Sequence, residues 1–126
     1  MPEMKNSVLV DGFLMKAPRD LSKGKQRMAR FEIAYHYFSA GGQKQVFVPV
    51  ICYGKSADYV LDDPDADFRT GDMLQVEGKL KALKYKDGKY DKTALELMGN
   101  MVIRLKKGKQ HPDGGDEQFI GLPEGV

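Results

Sequence analysis

An Asp-Gly step stands between two long alternating runs. Residues 72–85 read "DMLQVEGKLKALKY", "KDGK" follows, and a second strand-like run continues from Tyr90 to Leu105. A strand buried on one side alternates apolar and polar residues, and Asp-Gly between two such strands favours a two-residue hairpin loop. Leu74, Val76, Leu80 and Ala82 are expected to face a core. Glu77, Lys79, Lys81, Leu83 and Tyr85 are expected to face away. With Asp87 and Gly88 as the loop, Lys86 pairs with Lys89 and Tyr85 with Tyr90, a cross-strand aromatic pair. That register sets Leu80 opposite Leu95 and Gly78 opposite Leu97.

Three more strands precede this hairpin. "NSVLVDGFLMK" (6–16) carries Gly12 inside it, the mark of a bulge or sharp bend. "APRDLSKGK" reads as a polar loop. "RMARFEIAYHYF" (27–38) is a long strand with Phe31 and Ile33 on its core side. "QVFVPVICYGK" (45–55) is apolar on both faces. Val46, Val48, Val50 and Cys52 are expected to fill the core, while Phe47, Pro49, Ile51 and Tyr53 face the other way. Pro49 has no N–H, so this part of the strand belongs at an edge or a bulge.

"KSADYVLDD" is the one helical stretch, and "DDPDADFRTGD" reads as a solvated acidic linker. Five long strands with a short helix between the third and fourth is the plan of an OB-fold, an all-β, five-stranded Greek-key barrel. Residues 1–109 are assigned to that domain, and 110–126, rich in Gly and Pro, to a flexible, mildly acidic tail.

Several function classes lack their residues. One cysteine and two histidines make neither an internal disulfide nor a zinc site. Cys52 reads as a small buried apolar side chain. There is no P-loop, dinucleotide fingerprint or G-x-S-x-G nucleophile setting, and His36 and His111 have no evident acid partner. The expectation is a protein that is not an enzyme and takes no cofactor. No run is long enough to span a membrane, and "MPEMKNSVLV" does not resemble an export signal, which points to the cytoplasm.

Binding has positive support. Net charge is only +2, but residues 1–112 hold all 20 Lys and Arg against 14 acids, while 113–126 hold four acids and no Lys or Arg. Cations and exposed rings share strand faces: Lys79 and Lys81 with Tyr85, and Phe47 with Tyr53. Single-stranded nucleic acid needs this pairing, because cations neutralise phosphates and rings stack on unpaired bases. Arg30, Lys55 and Tyr90 are further candidate contacts. For Phe47 and Tyr53 a subunit interface is the competing reading; for Tyr85 and Tyr90 it is a hairpin-stabilising pair.

Four segments in order, "NSVLVDGFLMKAP", "ARFEIA", "FVPVICYGKSAD" and "TGDMLQVEGKLKALKY", resemble the bacterial single-stranded DNA-binding protein family. The likeness covers about residues 5–105. It implies an OB-fold, a homotetramer, and sequence-tolerant DNA binding in replication, recombination and repair. Phe47, Tyr53 and Tyr85 stand where that family places base-stacking rings, and Phe38 or Tyr37 stands near another such place. The chain departs from the family in having no Trp, in Pro49, in a linker at 62–70 about four residues longer, and in an end, "EQFIGLPEGV", unlike the family's acidic tip. That ending leaves recruitment of replication and repair proteins without its usual motif. Two alternatives follow: a dimeric primosome-type accessory protein of the same fold, and an oligomeric interaction module whose rings form subunit contacts.

Overall fold

The computed structural model describes residues 4–111. Its elements are β1 (Val8–Leu14), β2 (Arg19–Asp20), β3 (Met28–Ser39), β4 (Gly42–Tyr53), helix α1 (Gly54–Asp62), β5 (Met73–Asp87) and β6 (Tyr90–Lys106). The five long strands and the helix lie where the sequence pattern sets them. The two-residue β2 falls in the stretch read as a polar loop. Arg19 and Asp20 pair with Arg30 and Ala29 on the edge of β3, as backbone groups can whatever their side chains.

The strands run in the order β1-β5-β6-β4-β3-β2, and β1 also pairs with β3, which closes an OB-type barrel. β1 performs the closure by serving two neighbours. Residues Val8 to Phe13 pair with β5, and Phe13 and Leu14 pair with β3. Gly12 sits at this handover. A Cβ there would lie 2.9 Å from the carbonyl oxygen of Ala34, so the close approach needs a residue without one.

Inside the barrel, Leu14, Phe31, Ile33, Val50, Cys52, Leu74, Val76, Leu97 and Val102 form one core with Ala57 and Val60 of the helix. Burial pushes the Cys52 thiol up to about 11. The helix is fixed from outside as well: Arg27 reaches Asp58 at 2.7 Å and Asp62 at 2.6 Å. In β6 the inward side changes parity. Leu97 and Gly99 are buried, then Val102, because Asn100 is an extra residue opposite the Glu77–Gly78 step.

Several expectations need correction. The hairpin register is two residues further on: Asp87 pairs with Tyr90, Lys86 with Asp91, Tyr85 with Lys92, Leu80 with Leu97 and Gly78 with Gly99. The loop is therefore Gly88–Lys89. Gly88 takes φ +64° and Asp87 does not take a positive φ, so the glycine occupies the first loop position, as in a type II′ turn. Leu80 and Ala82 are exposed rather than core-facing, and so is Val46. The reason is common to all three: the barrel ends before them. The outer parts of β3–β4 and of β5–β6 continue past the core as two hairpins.

The acidic linker is not wholly solvated either. Ala66, Phe68 and Asp72 are buried. Asp72 accepts hydrogen bonds from the backbone N–H of Arg69 (3.0 Å) and of Gly108 (2.7 Å), and its Oδ2 lies 2.7 Å from His111 Nε2. His111 thus has an acid partner after all, one 39 residues away in sequence. It was expected inside the tail of 110–126; the rest of that tail, from residue 112, lies outside the described residues.

Pro49 stands opposite Glu32 in the β3–β4 ladder. On the other side of β4 the parallel pairing with β6 involves only Val50 and Ile51. The proline therefore lies just outside that pairing, at the unpaired edge its missing N–H requires.

Candidate nucleic-acid interface

The pairing register defines one outer face across four strands. Arg30 of β3, Ile51 of β4, Met98 of β6 and Lys79 of β5 form a continuous row. The β3–β4 register runs without a shift from Met28–Tyr53 to Ser39–Gly42. Side chains two apart therefore share a side, and Phe47, Pro49, Ile51 and Tyr53 lie on this face with Arg30, Glu32, Ala34, His36 and Phe38. On the hairpin of β5 and β6, Lys79, Lys81, Leu83 and Tyr85 lie there with Lys92, Glu96 and Met98.

Of the residues singled out by sequence, Arg30, Phe38, Phe47, Tyr53, Lys79, Lys81, Tyr85 and Tyr90 come to this face by register. Phe47 and Tyr85 are each nearly half exposed, and Phe38 and Tyr90, near the hairpin tips, stand mostly in solvent. Tyr37 does not join them. It pairs with Lys44 on the opposite side and lies stacked on Tyr35 at 6.1 Å between ring centroids. Lys55 is exposed in the first turn of the helix, beside Tyr53 in sequence.

At the centre of the face is an ionic cluster. Glu96 is 2% exposed. Arg30 Nη2 lies 2.8 Å from its Oε2 and Lys81 Nζ lies 3.6 Å from its Oε1. Lys81 also donates to the Tyr53 hydroxyl at 3.0 Å, and its Nζ sits 5.3 Å from the centre of that ring. The Tyr53 hydrogen bond, then the Glu96 charge, raise the Lys81 ammonium above its ordinary value. The arrangement holds one aromatic ring and one cation in fixed relation at the middle of the sheet.

A second group lies towards the β3–β4 hairpin. The His36 ring meets Phe13 edge-on at 5.4 Å, and Phe47 pairs with Ala34, which also pairs with Phe13. His36 is therefore half-buried rather than a plain surface residue. Sequence reasoning missed Glu96, Met98 and Phe13 here, whereas it had already set Ile51 on this face. Glu96 carried a signal: in "TALELMGN" it interrupts an apolar run on the strand that the alternation had already defined.

Chemically, the face offers rings and cations around a buried carboxylate. Among the described residues no group of three or more His, Cys, Asp or Glu is placed to hold an ion. No helix among them is long and apolar enough to cross a membrane.

No protein-family model matches the chain, and no curated protein matches its sequence. Solved structures do match. One is described as the Plasmodium falciparum SSB complex with ssDNA; at 18% identity it covers 84% of this chain and 99% of its own, with a TM-score of 0.70. With identity so low and superposition so extensive, what the two chains share is the fold: this chain is an OB-fold barrel of the kind seen in that SSB.

Proposed function

We propose that the protein binds single-stranded DNA with little sequence preference, through the outer face of β3, β4, β6 and β5, and catalyses no reaction. The observation that carries this reading is the convergence of Phe47, Tyr53 and Tyr85 on one face with Lys79 and Lys81 among them. Stacking on such rings is worth about 1–3 kcal/mol per base and tolerates any base. The lysines supply the phosphate contacts that make binding salt-sensitive. A similar fold solved with ssDNA adds support. Coating unpaired strands in replication, recombination or repair is the role this chemistry suits.

Self-association belongs to the same reading. On the outside of the barrel where β1, β5 and β6 meet, Leu9, Glu77 and Met101 pair in one row and Asp11, Gln75 and Ile103 in the next. Leu9, Met101 and Ile103 are exposed, and a second copy of the chain would cover them, within a homotetramer or a dimer.

The test is a titration with oligo-dT, a duplex and an RNA of equal length at two salt concentrations. Tight, salt-sensitive binding to oligo-dT over the duplex is the expected result. No binding to any strand would overturn the proposal and leave the interaction module as the better reading.

A further inference from the structure

Glu96 is a carboxylate where a phosphate-binding face gains nothing obvious from one. Carboxylates are almost never fully buried unless paired, and this one is paired twice, with Arg30 at 2.8 Å and Lys81 at 3.6 Å. Both partners belong to the face that would meet DNA. The geometry shows which way the control runs. Arg30 turns its Nη2 to Glu96 while its Nε is hidden without a hydrogen-bond partner. The guanidinium is oriented by the carboxylate at the expense of another of its donors. Lys81 is likewise stretched between Glu96 and the Tyr53 hydroxyl.

We propose that Glu96 is an internal counterion that limits how many phosphates this face neutralises and fixes Lys81 against the Tyr53 ring. Two cations and one carboxylate sum to a single positive charge. The centre of the face then behaves as one phosphate site rather than two. Tyr53 is presented to a base with its hydroxyl already engaged. The partition has a consequence for a binder that must later be displaced: stacking carries more of the affinity and counterion release less. The inference rests on the nucleic-acid reading of the same face and adds a positioning residue to it.

The experiment is Glu96→Gln, nearly isosteric, measured with oligo-dT across a tenfold range of salt. Freeing one net cation steepens the dependence of log K on log salt by about 0.7 for a single strand. Affinity then gains about fivefold at the low-salt end relative to the high-salt end. Asp65→Asn removes an equal charge from an exposed carboxylate between α1 and β5, outside the four strands of this face, and should leave the slope as it is. Equal steepening in both variants, or none in Glu96→Gln, overturns the proposal. If Glu96→Gln does not fold, Lys81→Met alone and Lys81→Met combined with Glu96→Gln decide the matter. Lys81→Met alone takes the cluster to neutrality and should lower the slope by about 0.7, whereas the double variant keeps the single charge of Arg30 and should restore the slope of the unaltered chain; an equal loss in both overturns the proposal. Failure of the unaltered chain to bind oligo-dT would remove the underlying reading as well, whereas binding with unchanged slopes removes this inference alone.

Discussion

Within β4, Val50, Ile51 and Cys52 are fully buried, while Val46 and Phe47, earlier on the same strand, are nearly half exposed. β5 repeats the contrast: Leu74 and Val76 are buried, and Leu80 and Tyr85 are not. The inner half of each strand has neighbours on both sides and a core beneath. The outer half has one partner strand and open faces. Stability therefore resides in the barrel, and most exposed rings of the proposed contact face, Phe38, Phe47, Tyr85 and Tyr90, lie on hairpins that the barrel positions but barely packs. A strand in this protein is two objects joined end to end.

That division can be broken first where the effect is largest. Leu74→Ala should lower unfolding free energy by about 2–5 kcal/mol through the cavity it leaves. Affinity for oligo-dT, measured well below the melting temperature, should hardly change. A large loss of affinity at intact fold would show that the two halves are coupled.

Alkaline pH offers a second test of the barrel. The folded Cys52 thiol is raised to about 11 from 9.0 by burial, so the unfolded chain ionises first. The contribution is whole below pH 9 and is lost as pH rises through about 11, worth about 2–3 kcal/mol across that window. In urea unfolding the protein should lose about 2–3 kcal/mol relative to Cys52→Ala over that range, with a constant difference between the two below pH 9.

Phe47→Ala and Tyr85→Ala test the other half. Each should cost about 1–3 kcal/mol of binding to oligo-dT, with little change in urea midpoint. A variant that binds normally but changes the sedimentation of the free protein would reassign its ring to a subunit contact. The smallest effect belongs to the tip. Lys92 and Asp87 approach to 2.8 Å with both side chains about half exposed, and such pairs contribute about 0–1 kcal/mol. Asp87→Asn should shift the melting temperature by no more than about 4 °C.

Much of the barrel was legible because its signals are local. Alternation set β5 and β6, Gly12 marked the closure of β1, and parity separated Phe31 and Ile33 from the outer face of β3 and β4. Register at the hairpin was not legible: Asp-Gly fits two loops, and choosing Gly88–Lys89 depends on which residue takes the positive φ. The extent of the core was not legible either, since Leu80 alternates correctly with Val76 yet lies past the end of the barrel. Alternation reports which side a residue faces, not whether anything is there. The Asp72–His111 and Glu96–Arg30 pairs, 39 and 66 residues apart, are long-range contacts that no local pattern encodes.

Between Gly42 and Pro49, the side of β4 turned away from β3 has no partner strand among the described residues. Such a margin invites a strand from another molecule to join the sheet, the first step of aggregation. Pro49 removes a donor from that margin, and Lys44, further along, places a charge on the same strand. An incoming strand would find an incomplete row of bonds. For a protein that exposes so many rings, the proline is a safeguard: it denies the edge to another polypeptide while leaving open the face proposed to meet a single strand.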